Sequence, residues 1–202
     1  MKNVFSMYKY EKIGYKNGYK LIAGIDEVGR GSIAGPIVCA CVILPKNYKN
    51  SKIKDSKILT SKQRKDLYNI IINDCIAYSI VEIDANIVDK LNPKKSSILG
   101  MEKSLLSLSI EPDFVLIDFE KISTNIPHNS IVNGDKKSIS IAAASILAKV
   151  YRDNLMENLS NKYPNYYFHK NKGYLTRQHL ESLKEYGPIN NIHRFTYKPI
   201  KK

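Results

Sequence analysis

Short apolar runs alternate with longer amphipathic stretches along this chain, and several of the apolar runs end in acid. Residues Leu21 to Asp26 (LIAGID) form the first run. A glycine-rich turn, Gly29-Arg30-Gly31, follows, and Pro36 to Leu44 (PIVCACVIL) reads as a second strand stopped by Pro45. Two strand-like runs joined by a short Gly turn predict a hairpin. Tyr78 to Ile83 alternates and predicts a third strand; Phe114 to Asp118 (FVLID) predicts a fourth, and Ser130 to Val132 a fifth.

Helical patterns separate these runs. Thr60 or Ser61 is placed to N-cap a helix in which Leu67, Ile70 and Ile71 fall at i, i+3 and i+4. Ser96 to Leu108 carries Leu99, Leu105, Leu106 and Leu108. The clearest helix is Ile139 to Leu159, rich in Ala, with Ile146, Val150 and Leu155 on one stripe. Beyond Tyr163-Pro164 the composition turns to Tyr, Asn, His and Lys, with one more helix at Thr176 to Tyr186, closed by Gly187-Pro188. No repeat or low-complexity linker interrupts the order. The expectation is an α/β fold, a mixed sheet with helices packed on it, over residues 1–160, with a small C-terminal helical appendage over 161–202.

Composition narrows the function. Of 202 residues, 43% are hydrophobic, enough for a core and too many for wholesale disorder. Lys and Arg number 32 against 19 Asp and Glu, a net charge of +13 that points to a polyanionic partner: nucleic acid or an anionic membrane face. Only five of the basic residues are Arg, however, and an AT-rich coding sequence also gives a chain crowded with Lys, Ile, Asn and Tyr. The longest apolar stretches, such as Ile37 to Leu44, fall far short of the roughly 20 residues that span a bilayer. Met1 to Lys20 has Lys and Tyr every few positions and no secretory signal. Cys39, Cys41 and Cys75 have no Cys or His partner at metal-ligand spacing, so the chain reads as a cytoplasmic protein with free thiols.

In so basic a chain, acids at strand ends stand out. Asp26-Glu27 follows the first run, Asp118 ends the fourth, and Asp135 follows the fifth. Ligands in open α/β sheets gather at the carboxyl ends of strands. Four carboxylates meeting there would repel one another and raise each other's pKa values, and hard divalent cations relieve that repulsion. Oxygen-only ligation suits Mg²⁺ or Mn²⁺, and carboxylates holding two metals about 4 Å apart are the machinery of phosphodiester cleavage. Asp after a strand is also an ordinary turn or N-cap residue, so spacing alone does not establish convergence.

These residues also resemble a family. Gly24-Ile25-Asp26-Glu27-Val28-Gly29-Arg30-Gly31, continuing to Ala34-Gly35-Pro36, is similar to the opening motif of the type 2 ribonucleases H (ribonuclease HII). Asp55-Ser56-Lys57 resembles its D-S-K loop, and Phe114 to Asp118 the strand carrying its third acid. Gly134-Asp135, then Ile141 to Val150 and Arg152-Asp153, resembles its long signature. Lys172-Gly173-Tyr174, Thr176, His179 and His193-Arg194 complete the C-terminal pattern. The matches run in order from Leu21 to Pro199.

The resemblance implies an RNase H-like mixed β-sheet flanked by helices. It implies a metal-dependent endoribonuclease that acts, as a monomer, on RNA in RNA–DNA hybrids and on single ribonucleotides in duplex DNA, leaving 3′-hydroxyl and 5′-phosphate ends. Asp26, Glu27, Asp118 and Asp135 map onto the catalytic carboxylates that bind Mn²⁺ or Mg²⁺. Gly29, Arg30 and Gly31 map onto the turn that senses the 2′-hydroxyl through backbone groups, the feature that separates RNA from DNA. Tyr174 maps onto a tyrosine that stacks on the sugar of the following deoxynucleotide. Lys57, Lys149 and Arg152 are candidates for phosphate contact, although Lys149 and Arg152, three apart on a helix, also read as a solvated face. Phe119 stands where the family usually has Gly, Asn133 where Lys commonly precedes Gly-Asp, and Ser32 where Pro is frequent; Tyr167 and Leu175 replace smaller residues.

Two other readings compete. The sister type 3 ribonucleases H carry an additional N-terminal domain, for which the roughly twenty residues before the first strand leave no room, and typically have Gly-Lys-Gly in place of Gly-Arg-Gly. A catalytically idle nucleic-acid-binding protein would use the same basic surface with the acids as turns.

Overall fold

The computed structural model describes residues 7–200; the opening residues of the stretch 1–20, read above as lacking a secretory signal, lie outside them. The chain begins with helix α1 (Lys9–Lys16), then strand β1 (Ile22–Val28) turns back as β2 (Ile37–Ile43). Helix α2 (Ser61–Asp74) leads to β3 (Ala77–Ile83), and α3 (Ala85–Leu91) and α4 (Pro93–Leu106) to β4 (Phe114–Asp118). Strand β5 (His128–Ile131), the long α5 (Ile139–Lys162), and the short α6 (Phe168–Asn171) and α7 (Arg177–Tyr186) complete it.

The sheet order is β3-β2-β1-β4-β5. β1–β2 and β2–β3 are antiparallel, the predicted hairpin and its extension, whereas β1–β4 and β4–β5 are parallel. The fold is therefore the expected mixed α/β sheet. All seven residues of β2 are buried, because both faces of this strand are covered. Val38, Ala40 and Val42 pack under α2 and α5; Ile37, Cys39, Cys41 and Ile43 pack against Val88, Met101 and Leu105 on the other side.

Capping chemistry sets the helix starts. Thr60 accepts from the Gln63 amide while the Gln63 side chain accepts from the Thr60 amide, a reciprocal capping box. Ser138 caps α5 and Thr176 caps α7. Helix α1 carries no apolar stripe that predicts it. It is fixed by contacts from far along the chain: Glu11 accepts from the Ser138 hydroxyl and from the Ser140 amide (3.0 Å), and the Ile139 amide donates to Met7.

Helix α5 crosses β1 and β2 at close range because the residues between them are small. Ala142, Ala143 and Ala144 are fully buried, and a Cβ on Gly24 would meet the backbone of Ser140. That approach brings the first half of α5 down onto the strand ends where the acids lie. Gly24→Ala should lower stability by about 3 kcal/mol through overpacking against backbone that has no free side to move into. Urea unfolding measures this, and a loss below about 1 kcal/mol would mean that α5 can lift off β1.

Candidate active site

Asp26 and Glu27 lie inside β1 rather than after it, so the expectation that the first strand ends at Asp26 is corrected. The reason is cross-strand pairing: Glu27 pairs with Cys39 and Val28 with Val38, carrying the ladder two residues further. Successive side chains in a strand point to opposite faces. Ala23 and Ile25 belong to the core on the α4 side, which sends Asp26 to the α5 side and Glu27 to the α4 side. Ile25 pairs with Ile117, so Asp26 and Asp118 share the next rung of two parallel strands, on the same face.

Asp135 reaches this face from the 3-10 turn Gly134–Lys136. The Gly134 amide donates to Asp118 Oδ1 (2.6 Å), which ties that turn to the end of β4. Left-handed residues on both sides make the connection: Phe119 at φ 60° and Asn133 at φ 54°. Asn tolerates this conformation, but a bulky side chain there costs about 1–2 kcal/mol. Sequence comparison marked both positions as departures, and both take positive φ.

Crowding and burial dominate the electrostatics. Asp26 is 5% exposed, and its carboxyl is pushed well above the usual carboxylate range by burial, then by Glu27 and Asp118; the Ser145 hydroxyl opposes the shift. Glu27 is raised to about 7 by burial against the pull of Arg30, with Asp118 and Glu120 adding to the rise. Burial also raises Asp118, and Asp135 adds to it while the Gly134 amide opposes. Lys57 pairs with Asp135 Oδ2 at 3.1 Å through a side chain that is mostly exposed. Among the described residues, no three His, Cys, Asp or Glu side chains already stand as a ligand cluster. The pleat divides Asp26 from Glu27, and Lys57 draws on Asp135. The donor set nonetheless fits a hard divalent cation, being four oxygen-bearing acids at neighbouring strand ends, three of which, Asp26, Glu27 and Asp118, have pKa values raised by burial and by neighbouring acids.

Beside the acids lies the Gly29-Arg30-Gly31 turn. The guanidinium of Arg30 pairs with Glu120 at 2.6 Å and with Glu27 at 3.7 Å. Its carbonyl accepts from Arg194 Nη1 (3.1 Å) and the Tyr197 hydroxyl (2.8 Å). The backbone N–H groups of Arg30 and Gly31 have no partner among the described residues, and a Cβ on Gly31 would meet open space. Gly29 is different, because its φ is 90° and a side chain there would strike Arg152.

Of the phosphate candidates, Lys57 is exposed, while Lys149 is held by Asp153 at 2.6 Å and is largely covered. Arg152 is a correction. It is fully buried, donating to the carbonyls of Pro36 (2.9 Å), Lys172 (2.8 Å) and Ala34 (3.0 Å) and to Ser32 Oγ (2.7 Å). Such a guanidinium has no face left for a phosphate; it staples the loop after β1 to the C-terminal segment. Ser32, where Pro is frequent in the family, supplies one of its acceptors.

Tyr174 lies against that staple, its ring 5.5 Å from the Arg152 guanidinium carbon, and it is 36% exposed. Gly173 accepts from the Ile33 and Ala34 amides, which brings Tyr174 to the glycine turn. Two buried histidines hold its carbonyl. The Ile189 amide donates to His193 Nδ1 (2.9 Å), so His193 Nε2–H donates to His179 Nε2 (3.1 Å) and His179 Nδ1–H donates to the Tyr174 carbonyl (2.9 Å). Sequence reading did not single out this relay, Glu120, or Ser145, which also bonds Ser56 at 3.0 Å. The histidines lack chelating spacing, and Ser145 looks like one more small residue on the α5 stripe.

A doubly covered mixed sheet, with acids on adjacent parallel strand ends beside a glycine turn, places the protein among the ribonucleases H. The ribonuclease HII family model matches residues 23–200. A ribonuclease HII of Enterococcus faecalis is 45% identical over 195 residues, covering 96% of this chain and 76% of its own. That of Mycoplasma mycoides is 49% identical over 183 residues, covering 90% and 88%. The crystal structure of ribonuclease H2 from Pyrococcus horikoshii superposes with a TM-score of 0.77 at 25% identity, over 89% of this chain and 95% of that one. The chain belongs to the ribonuclease HII family and is an endoribonuclease, a hydrolase of RNA in RNA–DNA hybrids. No helix among the described residues is long and apolar enough to cross a membrane.

Two measurements check this geometry. Arg152→Lys keeps the charge but loses the fork of donors, and should cost about 3 kcal/mol of stability while leaving the salt slope of hybrid binding unchanged. A slope reduced by about one unit would return Arg152 to phosphate contact. Burial, then His179, pushes His193 down from 6.5 to about 4. The unfolded chain therefore takes up this proton first, and the contribution is complete above pH 6.5 and lost as pH falls toward 4. Unfolding midpoints between pH 7.5 and 4.5 should fall more steeply for the parent than for His193→Gln; parallel curves would show that the relay does not titrate.

Proposed function

We propose that the chain is a metal-dependent ribonuclease that cuts both RNA–DNA hybrids and duplex DNA containing single ribonucleotides, leaving 3′-hydroxyl and 5′-phosphate ends. The observation that carries this reading is the crowding of Asp26, Glu27, Asp118 and Asp135 at neighbouring strand ends, where burial first and neighbouring acids next raise the pKa values of Asp26, Glu27 and Asp118. These four would hold Mg²⁺ or Mn²⁺. When bound, the divalent ions supply Lewis acidity to the attacking water and to the departing 3′ oxygen. Asp26, Glu27 and Asp118 would have to be deprotonated to serve as ligands, and Lys57, which pairs with Asp135, stands beside the site as a candidate phosphate contact.

Recognition falls to the neighbouring elements. The Arg30 and Gly31 amides are free to face a 2′-hydroxyl, and Gly31 leaves room for the sugar–phosphate backbone to approach. The Tyr174 ring packs on the next sugar where no 2′-hydroxyl obstructs it, so the pair reads an RNA-to-DNA junction without touching base edges. Residues 161–202 act as the substrate-binding appendage that presents Tyr174. Lys149 lies at the margin of the phosphate track. The enzyme works as a monomer, in the cytoplasm, where its three thiols stay free.

Cleavage of a DNA duplex with one ribonucleotide tests the reading. Asp118→Asn should abolish cutting in Mg²⁺ or Mn²⁺ while hybrid binding is kept, because phosphate contacts supply most of the affinity. Near-parental turnover by that variant would sink the assignment of the four acids. Tyr174→Ala should slow junction cleavage by about tenfold, equivalent to about 1.4 kcal/mol, and uniform hybrid much less. Equal losses on both substrates would make Tyr174 structural.

A further inference from the structure

Phe119 has no structural reason to be a phenylalanine. It follows Asp118 directly and sits at φ 60°, the left-handed region that glycine occupies without strain. The turn is locked by bonds that any residue could make. The Phe119 amide donates to Ile131 (3.1 Å), the Glu120 amide to the Asp118 carbonyl (2.6 Å), and the Ser130 hydroxyl to the Glu120 carbonyl (2.7 Å). The side chain repays little of its strain by packing, since it is 58% exposed. Val132, which the sequence placed in the fifth strand but which lies one residue past the end of β5, is 57% exposed. Two apolar side chains thus stand open just past the carboxyl ends of β4 and β5.

Their surroundings carry both signs of charge, with Asp118 and Glu120 flanking Phe119 along the chain and lysines following Val132. Lys137 Nζ bonds the Val132 carbonyl at 2.7 Å, and Lys136 occupies the same turn as Asp135. An exposed aromatic ring one residue from an acid proposed to hold the cleaving metal, with Lys137 bonded to the neighbouring Val132, fits the apolar face of a nucleotide sugar whose phosphate that lysine can meet. Backbone strain kept without local compensation points to a function at the strained residue. We propose that Phe119, with Val132 beside it, packs on a sugar of the bound duplex next to the scissile phosphate. The proposal rests on the nuclease reading above and adds a substrate contact to it. Because sugars are common to every nucleotide, this contact adds affinity without sequence preference.

The chain has no Trp, so Phe119→Trp places a single indole at the site. With EDTA present and cleavage stopped, adding an RNA–DNA hybrid at low salt should quench or shift that emission by at least a quarter. Phe119→Gly should raise the KM for hybrid about fivefold with kcat within twofold, while its unfolding midpoint stays equal to the parent's or rises as the strain is relieved. Phe119→Tyr, which keeps a ring, should recover most of the loss. The proposal is overturned if Phe119→Gly keeps the parental KM and the F119W emission ignores saturating hybrid. A parent that binds hybrid without cutting it would overturn the nuclease reading instead, and the emission change would still decide whether Phe119 touches the duplex.

Discussion

Two buried guanidiniums, neither facing a carboxylate at bonding distance among the described residues, hold the glycine turn and the C-terminal segment together. Arg152 and Arg194 are both fully buried, and both are satisfied chiefly by backbone carbonyls of residues 30–36. A buried charge costs several kcal/mol unless its hydrogen-bonding capacity is met, so the loop cannot leave these arginines without exposing them to that penalty. Arg152 comes from α5 and Arg194 from the end of the chain, and Arg152 also bonds Lys172. One loop is thereby fixed to three distant segments. The glycine turn, the Tyr174 segment and the long helix keep their relative places because carbonyl dipoles must point at the same two cations.

The acids obey an opposite logic. Their placement is dictated by the pleat and by the parallel register of β1 and β4, and nothing near them fully compensates their charge. Asp26 has Ser145 and a backbone amide; Asp118 has the Gly134 amide; Asp135 has an exposed lysine whose ion pair is worth little in water. Glu27 alone has a substantial cation, Arg30, and it shares that cation with Glu120. Packing contributed by α5, above all the contact over Gly24, holds these groups close against their own repulsion. Stability of the core is what keeps the acids poised.

Much of this was legible in the sequence, for identifiable reasons. The strands announced themselves because both faces of the central ones are covered, so β2 reads as an unbroken apolar run. Thr60 and Gln63 mark the start of α2 by a local rule that needs no tertiary context. The acids could be found because acid is scarce in a basic chain and falls at apolar run ends. Arg152 could not be placed, because a helix position three residues from Lys149 looks solvent-facing until residues 32–36 and 172 cover it, and sequence distance hides that cover. Helix α1 was invisible for the same reason: its partners, Ser138, Ser140 and Ile22, belong to other elements. The division of Asp26 from Glu27 across the sheet was hidden by reading the first acid as the end of the strand.

The two halves of the site therefore differ in how complete they are before any ligand arrives. The half that the proposed reading gives to recognition is finished: its turn is clamped through carbonyls, its tyrosine is held by a neutral histidine relay, and the Arg30 and Gly31 amides have no partner among the described residues. The chemical half is unfinished, with raised carboxyl pKa values and an acid drawn toward a lysine. On the proposed reading, this order has a consequence for selectivity. A duplex can be tested for a 2′-hydroxyl against a surface that does not depend on metal occupancy, because Arg152 and Arg194 stay charged wherever the acids titrate. A bound cation would act on the strand-end acids and on Lys57, which pairs with Asp135, and not on the buried arginines. Discrimination and cleavage thus rest on separate electrostatic networks, joined at Arg30, whose carbonyl belongs to the first and whose guanidinium belongs to the second.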